Sequence, residues 1–242
     1  MLLEVKDMHI SYNGTKAVDG ISINVPEGES VGIIGPNGSG KSTFLKGIAG
    51  VTPLNDGSVI LDGQDITLLS PRERLKKSIV YLPQGLDVFP SLSVEDNLKL
   101  FVAEMSNANT SLDEAYSFYS PLRDKRKKLA GNLSGGERRL LSLTRAIISK
   151  PKLLLLDEPS AGLSPAMLDV VVKKIKDIAK AGVTLILVEQ ILPITKRLAN
   201  YFYVLSNGSM CISFSKEGFD EQKNRIREVF MGKKLATFVE VI

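Results

Sequence analysis

The stretch that most constrains this chain is residues 35–43, GPNGSGKST, which fits the spacing G-x-x-x-x-G-K-[ST]. Just before it, Val31, Gly32, Ile33 and Ile34 read as a short strand buried on both faces. After it the residues read as a helix ending near Gly50. Strand, glycine-rich loop and helix in that order belong to an α/β fold with a parallel sheet. The chemistry of the loop follows from its parts, because glycines let backbone N–H groups converge on phosphate oxygens at a helix N-terminus. The candidate phosphate-binding residues are Gly35, Pro36, Asn37, Gly38, Ser39, Gly40, Lys41, Ser42 and Thr43. Among them Lys41 supplies charge between the β- and γ-phosphates, and the Ser42 hydroxyl can ligate Mg²⁺. A chance glycine-rich turn would lack the flanking strand and helix.

Residues 153–158, LLLLDE, form an apolar strand ending in two carboxylates, the pattern expected where metal-bound phosphates meet the end of a parallel strand. Asp157 suits the metal shell, and Glu158, one residue farther, can orient and deprotonate an attacking water. Taken alone, the pair could be solvated acids at a strand end; downstream of a phosphate loop, the metal-and-water role fits better. Residues 133–137, LSGGE, read as a helix-starting capping box from Ser134 to Glu137. That reading leaves Gly135 and Gly136 unexplained, since each costs up to ~1 kcal/mol relative to alanine in a helix. Bare backbone N–H groups that must approach an anion would account for them.

The composition removes competing chemistries. His9 and Cys211 are the only histidine and cysteine, which excludes a His/Cys zinc site, a two-cysteine redox motif and an internal disulfide. With 43% hydrophobic and 24% charged residues the chain is an ordinary globular one. Its net charge of +4 is too small to argue for nucleic acid, so no nucleic-acid partner is expected. The opening MLLEVKDMHISY reaches a charge at Glu4 without an apolar run, so a cytoplasmic location is expected. The uncharged stretch 198–215 is long enough to raise a membrane span, but Asn207-Gly208 at its centre is a hairpin signal. Two short strands are expected there.

The first 30 residues read as strands, with a turn at Pro26, Glu27, Gly28 and Glu29. Short strands are also expected at residues 59–61, near Ile66, at 79–82, 153–156 and 183–188, and a Ser70 cap with Pro71 starts a short helix. Between residues 87 and 150 the chain reads as helices and polar connections, with Ser93 capping a helix through about Met105, a loop at 107–110 and a capping box from Ser111 to Glu114. Ser164 and Pro165 open another helix, stopped by Gly182. A charged helix-like tail closes on an apolar patch at 238–242.

The phosphate loop, LSGGE and LLLLDEP, in this order, resemble the nucleotide-binding subunit of an ABC transporter over essentially the whole chain. The resemblance implies a P-loop NTPase fold of the α/β class: a RecA-like core with an antiparallel β subdomain, over residues 1–87 and 151–242, and an inserted helical subdomain, 88–150, carrying LSGGE. It implies ATP and Mg²⁺ as ligands and a head-to-tail pair of cassettes enclosing two ATP molecules. In that pair Ser134, Gly135 and Gly136 of one cassette face the γ-phosphate held by Lys41 of the other. The second ATP-binding subunit is an identical or a different chain, and transmembrane permease subunits complete the assembly at the cytoplasmic face of the membrane. ATP closes the pair, Glu158 activates water, and hydrolysis reopens it.

Single positions carry over too. Tyr12 falls where the family stacks an aromatic on adenine, although a strand-edge tyrosine reads equally simply. Gln84 matches the glutamine that touches Mg²⁺ or the water. Two positions depart from the common pattern. Ser164 stands where many members carry an aspartate, and Gln190 stands where most carry a histidine against the γ-phosphate. Gln190 can donate an amide hydrogen bond but holds no positive charge and relays no proton. LVEQ, EPSAGLSP, the segment FPSLSV at 89–94 and the run REVFMG at 227–232 are similar to ATPase subunits of branched-chain amino-acid importers, while Gln84 and a tail past Gly232 differ from them. The alternatives are a transporter subunit for another substrate and a soluble ABC ATPase, as in iron–sulfur assembly.

Overall fold

Among the described residues two sheets and three hydrophobic cores place every motif. The computed structural model describes residues 1–85, 88–104, 112–232 and 239–241. Strands β1 (Leu3–Tyr12) and β2 (Thr15–Val25) pair antiparallel and precede the loop strand β3 (Ser30–Ile34) and helix α1 (Lys41–Ile48). Next come β4 (Asp56–Leu61), β5 (Gln64–Asp65), α2 (Pro71–Lys76) and β6 (Ile79–Leu82). The described part of the insert holds α3 (Val94–Glu104), α4 (Leu112–Phe118), α5 (Pro121–Asp124) and α6 (Gly135–Ile148). The chain returns through β7 (Leu153–Asp157), α7 (Pro165–Lys180), β8 (Thr184–Glu189), α8 (Leu192–Leu198), β9 (Tyr201–Ser206), β10 (Ser209–Ser215), α9 (Lys223–Phe230) and β11 (Val239–Val241).

The smaller sheet has the order β2-β1-β4-β5 and is antiparallel throughout. The larger has the order β11-β10-β9-β3-β8-β7-β6, and from β9 to β6 its neighbours are parallel. Strands β3, β7 and β8 are buried at every position, as their unbroken apolar runs require. Parallel pairing aligns their carboxyl ends along one rim, where ligands of open α/β sheets bind. The phosphate loop leaves β3 there, Gln84 follows β6, Asp157 ends β7, and Glu189 ends β8.

One core packs the smaller sheet and α1 (Phe44, Leu45, Ile48) onto one face of the larger. Another packs α6, α7 and α8 onto the opposite face. The third lies within the insert, around Val94, Leu98, Tyr116 and Leu122. Helix α6 belongs to two of them: Leu140, Leu143 and Ala146 face the sheet, and Leu141 and Ile148 face the insert.

Local signals act as their chemistry predicts. Ser70, Ser93, Ser134 and Ser164 each accept a bond from the backbone N–H three residues on, at 3.4, 3.0, 3.3 and 3.4 Å. Asn207 and Gly208 take φ of 49° and 79° between β9 and β10, the geometry of a tight hairpin turn. Helix α8 was not anticipated, and the strand expected near Ile66 stops at Asp65. Of the other expectations, Met105, the loop at 107–110, Ser111 with its half of a capping box, Phe238 and Ile242 lie outside the described residues. An unanticipated feature is Arg74, which is 1% exposed and donates to the carbonyls of Gly47, Ile48, Thr67 and Leu69 at 2.6–3.0 Å. It closes the C-terminus of the helix that starts at the phosphate loop.

Candidate functional site

The phosphate loop is shaped by contacts that only glycine allows. A Cβ at Gly35 would lie 2.2 Å from the Leu205 carbonyl oxygen, and one at Gly40, where φ is 98°, 2.2 Å from that of Ala17. Lys41 is 5% exposed, and its ammonium donates to the carbonyls of Gly35 and Pro36 at 2.9 and 2.8 Å. Burial pushes its pKa down, opposed by the nearby charges of Glu158 and Asp157.

Two carboxylates meet this loop from β7. The Ser42 hydroxyl donates to Asp157 Oδ1 at 2.8 Å, and the Tyr81 hydroxyl donates to Asp157 Oδ2 at 3.1 Å. Burial raises the Asp157 pKa, and these two donors pull it back. Burial beside Asp157 likewise raises the Tyr81 phenol, so the hydroxyl stays protonated and donating. Glu158 follows at φ 46°, a left-handed conformation that costs a non-glycine residue about 1–3 kcal/mol. Its N–H donates to the Val188 carbonyl at 2.9 Å, which hangs the turn from β8. Its carboxylate is gripped from both sides: Gln84 Nε2 donates to Oε2 at 2.7 Å, and Gln190 Nε2 donates to Oε1. Both donors are neutral amides, and the charge the carboxylate faces is the Lys41 ammonium.

These groups enclose a cleft of about 400 Å³ lined by Ala17, residues 37–43, Gln84, Glu158 and Gln190. Asp157 lies beneath it against Ser42, and Gly35 and Pro36 form its base through Lys41. Tyr12 is 46% exposed at the end of β1, bonded to the Thr52 hydroxyl at 3.2 Å, and does not line the cleft. Ser134, Gly135 and Gly136 lie elsewhere. Gly135 instead borders a second cleft of about 340 Å³, shared with Gln84, Arg138 and Leu163. Gln84 therefore faces both. Gly136 has an internal cause as well: a Cβ there would meet Met167 at 2.7 Å, whereas at Gly135 it would meet nothing within 4 Å.

The donors at Ser42 and Asp157 are a hydroxyl and a carboxylate oxygen 2.8 Å apart, the hard set suited to Mg²⁺. No group of three or more His, Cys, Asp or Glu side chains could hold a metal among the described residues.

Tyr81 and Glu189 were not picked out from sequence. The available signal at Glu189 was a carboxylate closing the run TLILVE; at Tyr81 the polar end of a strand tyrosine was the only hint.

A glycine-cradled phosphate loop, an acid-tipped neighbouring strand and a ligand rim at the carboxyl ends of a parallel sheet define a P-loop nucleotide hydrolase. The model of the ABC transporter family matches residues 18–161, and the chain belongs to that family, as an ATP-hydrolysing transporter subunit. It is 38% identical to the high-affinity branched-chain amino acid transport ATP-binding protein BraG of Pseudomonas aeruginosa, over 81% of this chain and 85% of that protein. It is 32% identical to the lipopolysaccharide export system ATP-binding protein LptB of Escherichia coli, over 96% of this chain and 97% of the relative. Among solved structures it is similar to the ADP conformation of MJ1267, an ATP-binding cassette of an ABC transporter. There the TM-score is 0.81 at 27% identity, covering 96% of this chain and 99% of the other. Among the described residues no helix is long and apolar enough to cross a membrane.

Proposed function

We propose that this chain hydrolyses ATP with Glu158 as general base and, through permease subunits, drives uptake of branched-chain or other hydrophobic amino acids. The observation that carries the hydrolytic part is the Glu158 carboxylate held at the cleft by Gln84 and Gln190. Held there, Glu158 can take a proton from a water aligned on the γ-phosphate, while Gln84 and Gln190 steer its oxygens. Backbone N–H groups of residues 37–43 cradle the phosphates, and Lys41 exchanges its loop carbonyls for phosphate oxygens. Ser42 and Asp157 hold Mg²⁺, which when bound neutralises charge on the transferring phosphoryl group. Tyr12, exposed beside the first strands, stacks on the adenine.

Residues 1–87 and 151–242 act as the nucleotide-binding core, and 88–150 as a helical subdomain presenting Ser134, Gly135 and Gly136 to the ATP of a second cassette. The separation of these three residues from the cleft of their own chain supports that division of labour. The chain works at the cytoplasmic face of the membrane, held there by its permease. The similarity to BraG supports amino-acid uptake. A second reading, export of a lipid-linked substrate, is favoured by the fuller coverage of the LptB match.

Glu158→Gln should lower turnover by about 100-fold or more, the scale of a general base, and trap an ATP-bound pair of cassettes. Hydrolysis at the parent rate would remove Glu158 from the mechanism. Capture of the chain from solubilised membranes identifies the permease, and transport by that complex separates the two substrate readings.

A further inference from the structure

Three carboxylates are buried among the described residues, Asp157, Glu158 and Glu189, and the hydrolysis just outlined gives no task to the third. Glu189 ends β8, is 1% exposed and does not line the cleft. Its Oε1 accepts the Ser160 backbone N–H at 2.9 Å; burial pushes its pKa up, opposed by the Ser160 hydroxyl and by the Ser160 and Gln190 backbone N–H groups. Burial of a carboxylate is costly without such donors. A strand end that only needed filling would carry an apolar residue, like the four just before it in β8.

The position of those donors is informative. Pro159 has no N–H, so Ser160 offers the first donor after Glu158. The turn at Glu158 is thus tied to β8 at two points, Glu158 N–H to the Val188 carbonyl and Ser160 N–H to Glu189. From the same end of β8, Gln190 reaches back to the Glu158 carboxylate. The result is a closed ring running from Glu158 through Pro159 and Ser160 to Glu189, then Gln190, and back to Glu158. Within it Glu158 is kept at φ 46°, a conformation that persists only when its surroundings over-determine it.

We propose that Glu189 is a positioning residue for hydrolysis: its carboxylate staples the turn after β7 to the end of β8 and thereby aims Glu158 and Gln190 at one point in the cleft. The proposal rests on the reading of Glu158 as general base. It requires an acceptor at the reach of a glutamate, because displacing a catalytic group by about 1 Å is enough to cost large factors in rate.

Steady-state ATPase assays on the full chain test it. Glu189→Gln keeps an acceptor oxygen at the same reach and should hold kcat within about threefold of the parent. Glu189→Asp keeps the charge but withdraws it by one methylene, and Glu189→Met removes the acceptor while filling the space. Both should lose about tenfold or more in kcat, with the KM for ATP within about twofold, since the phosphate loop is untouched. If the methionine variant does not fold, the order of glutamine above aspartate decides alone. Parent-like kcat in the aspartate and methionine variants, or equal losses in kcat and affinity, overturns the positioning role. Inactive Glu158→Gln with parent-like Glu189 variants sinks this role alone, whereas active Glu158→Gln sinks the base and its positioning together.

Discussion

Asp157 and Glu158 are adjacent acids given different work by their donors. Asp157 receives two hydroxyl donors, Ser42 and Tyr81, which are groups that can share an oxygen with a metal ion or orient the carboxylate toward one. Glu158 receives two amides from separate strand ends, which aim it without neutralising it. The distinction makes Tyr81 testable. Phenylalanine at position 81 keeps the ring and deletes the donor, leaving Asp157 Oδ2 free to swing. Partners of this kind typically change metal affinity by 10–100-fold. Tyr81→Phe should therefore raise the Mg²⁺ concentration giving half-maximal turnover by about tenfold, with kcat at saturating Mg²⁺ nearly unchanged. Mn²⁺ binding to the ATP complex, followed by electron paramagnetic resonance, should weaken in parallel; equal Mn²⁺ affinity in both proteins refutes the assignment.

Helix α6 shows how one element serves two purposes. Its capping box and two-faced apolar pattern seat it between the sheet core and the insert core. Farther along, the Arg145 guanidinium lies 4.3 Å from the Phe101 ring centroid and 5.3 Å from that of Phe89, which joins α6 to the segment beyond Gln84. The two glycines of its first turn separate cleanly. Gly136→Ala must displace the buried-side contacts of Met167 and should lower Tm by several degrees, about 2–4 °C for each kcal/mol lost. Gly135→Ala meets open space and should leave Tm unchanged or raise it, because alanine favours a helix. If Gly135 is reserved for the ATP of a second cassette, that well-folded variant should nonetheless lose ATPase activity; full activity would remove the reservation. The elements themselves were legible in the sequence wherever a local device forms them: Ser70, Ser93, Ser134 and Ser164 as caps, Asn207-Gly208 as a turn, unbroken apolar runs as central strands. What could not be read were contacts made across strands. Tyr81 meets Asp157 and Glu189 meets Ser160 only because parallel pairing brings three strand ends to one rim, and no spacing along the chain encodes that. Gly136 illustrates the same limit, since its packing against α7 is invisible beside its place in LSGGE.

At the scale of the whole molecule the rim concentrates buried charge, and that has a measurable consequence for stability. Lys41, Asp157, Glu158 and Glu189 are all buried along one edge, and burial raises the pKa values of Asp157 and Glu189 while lowering that of Lys41. Sites built this way sacrifice stability for function. For Asp157 the sign follows from the direction of its shift. Its folded-state pKa lies above the ordinary 3.8, so at neutral pH folding must bury a charge that the unfolded chain solvates freely. The penalty is fully present above the folded-state pKa and vanishes as pH falls through it toward 3.8. Asparagine at 157 has no such penalty. It keeps both hydrogen bonds, because the amide oxygen accepts from one of the Ser42 and Tyr81 hydroxyls and the amide N–H donates to the other. Relief from the neighbouring Glu158 charge acts in the same direction and outweighs the lost attraction to Lys46. Asp157→Asn should therefore have a higher Tm than the parent near neutral pH, without nucleotide or Mg²⁺, by the few degrees that about 1 kcal/mol produces in a chain of this size. Calorimetry at falling pH should show the two melting points converging toward about pH 4, while the variant has lost Mg²⁺-dependent turnover throughout. An asparagine variant that melts below the parent at neutral pH would mean that the hydrogen bonds of Asp157, and not its buried charge, dominate its contribution to the fold.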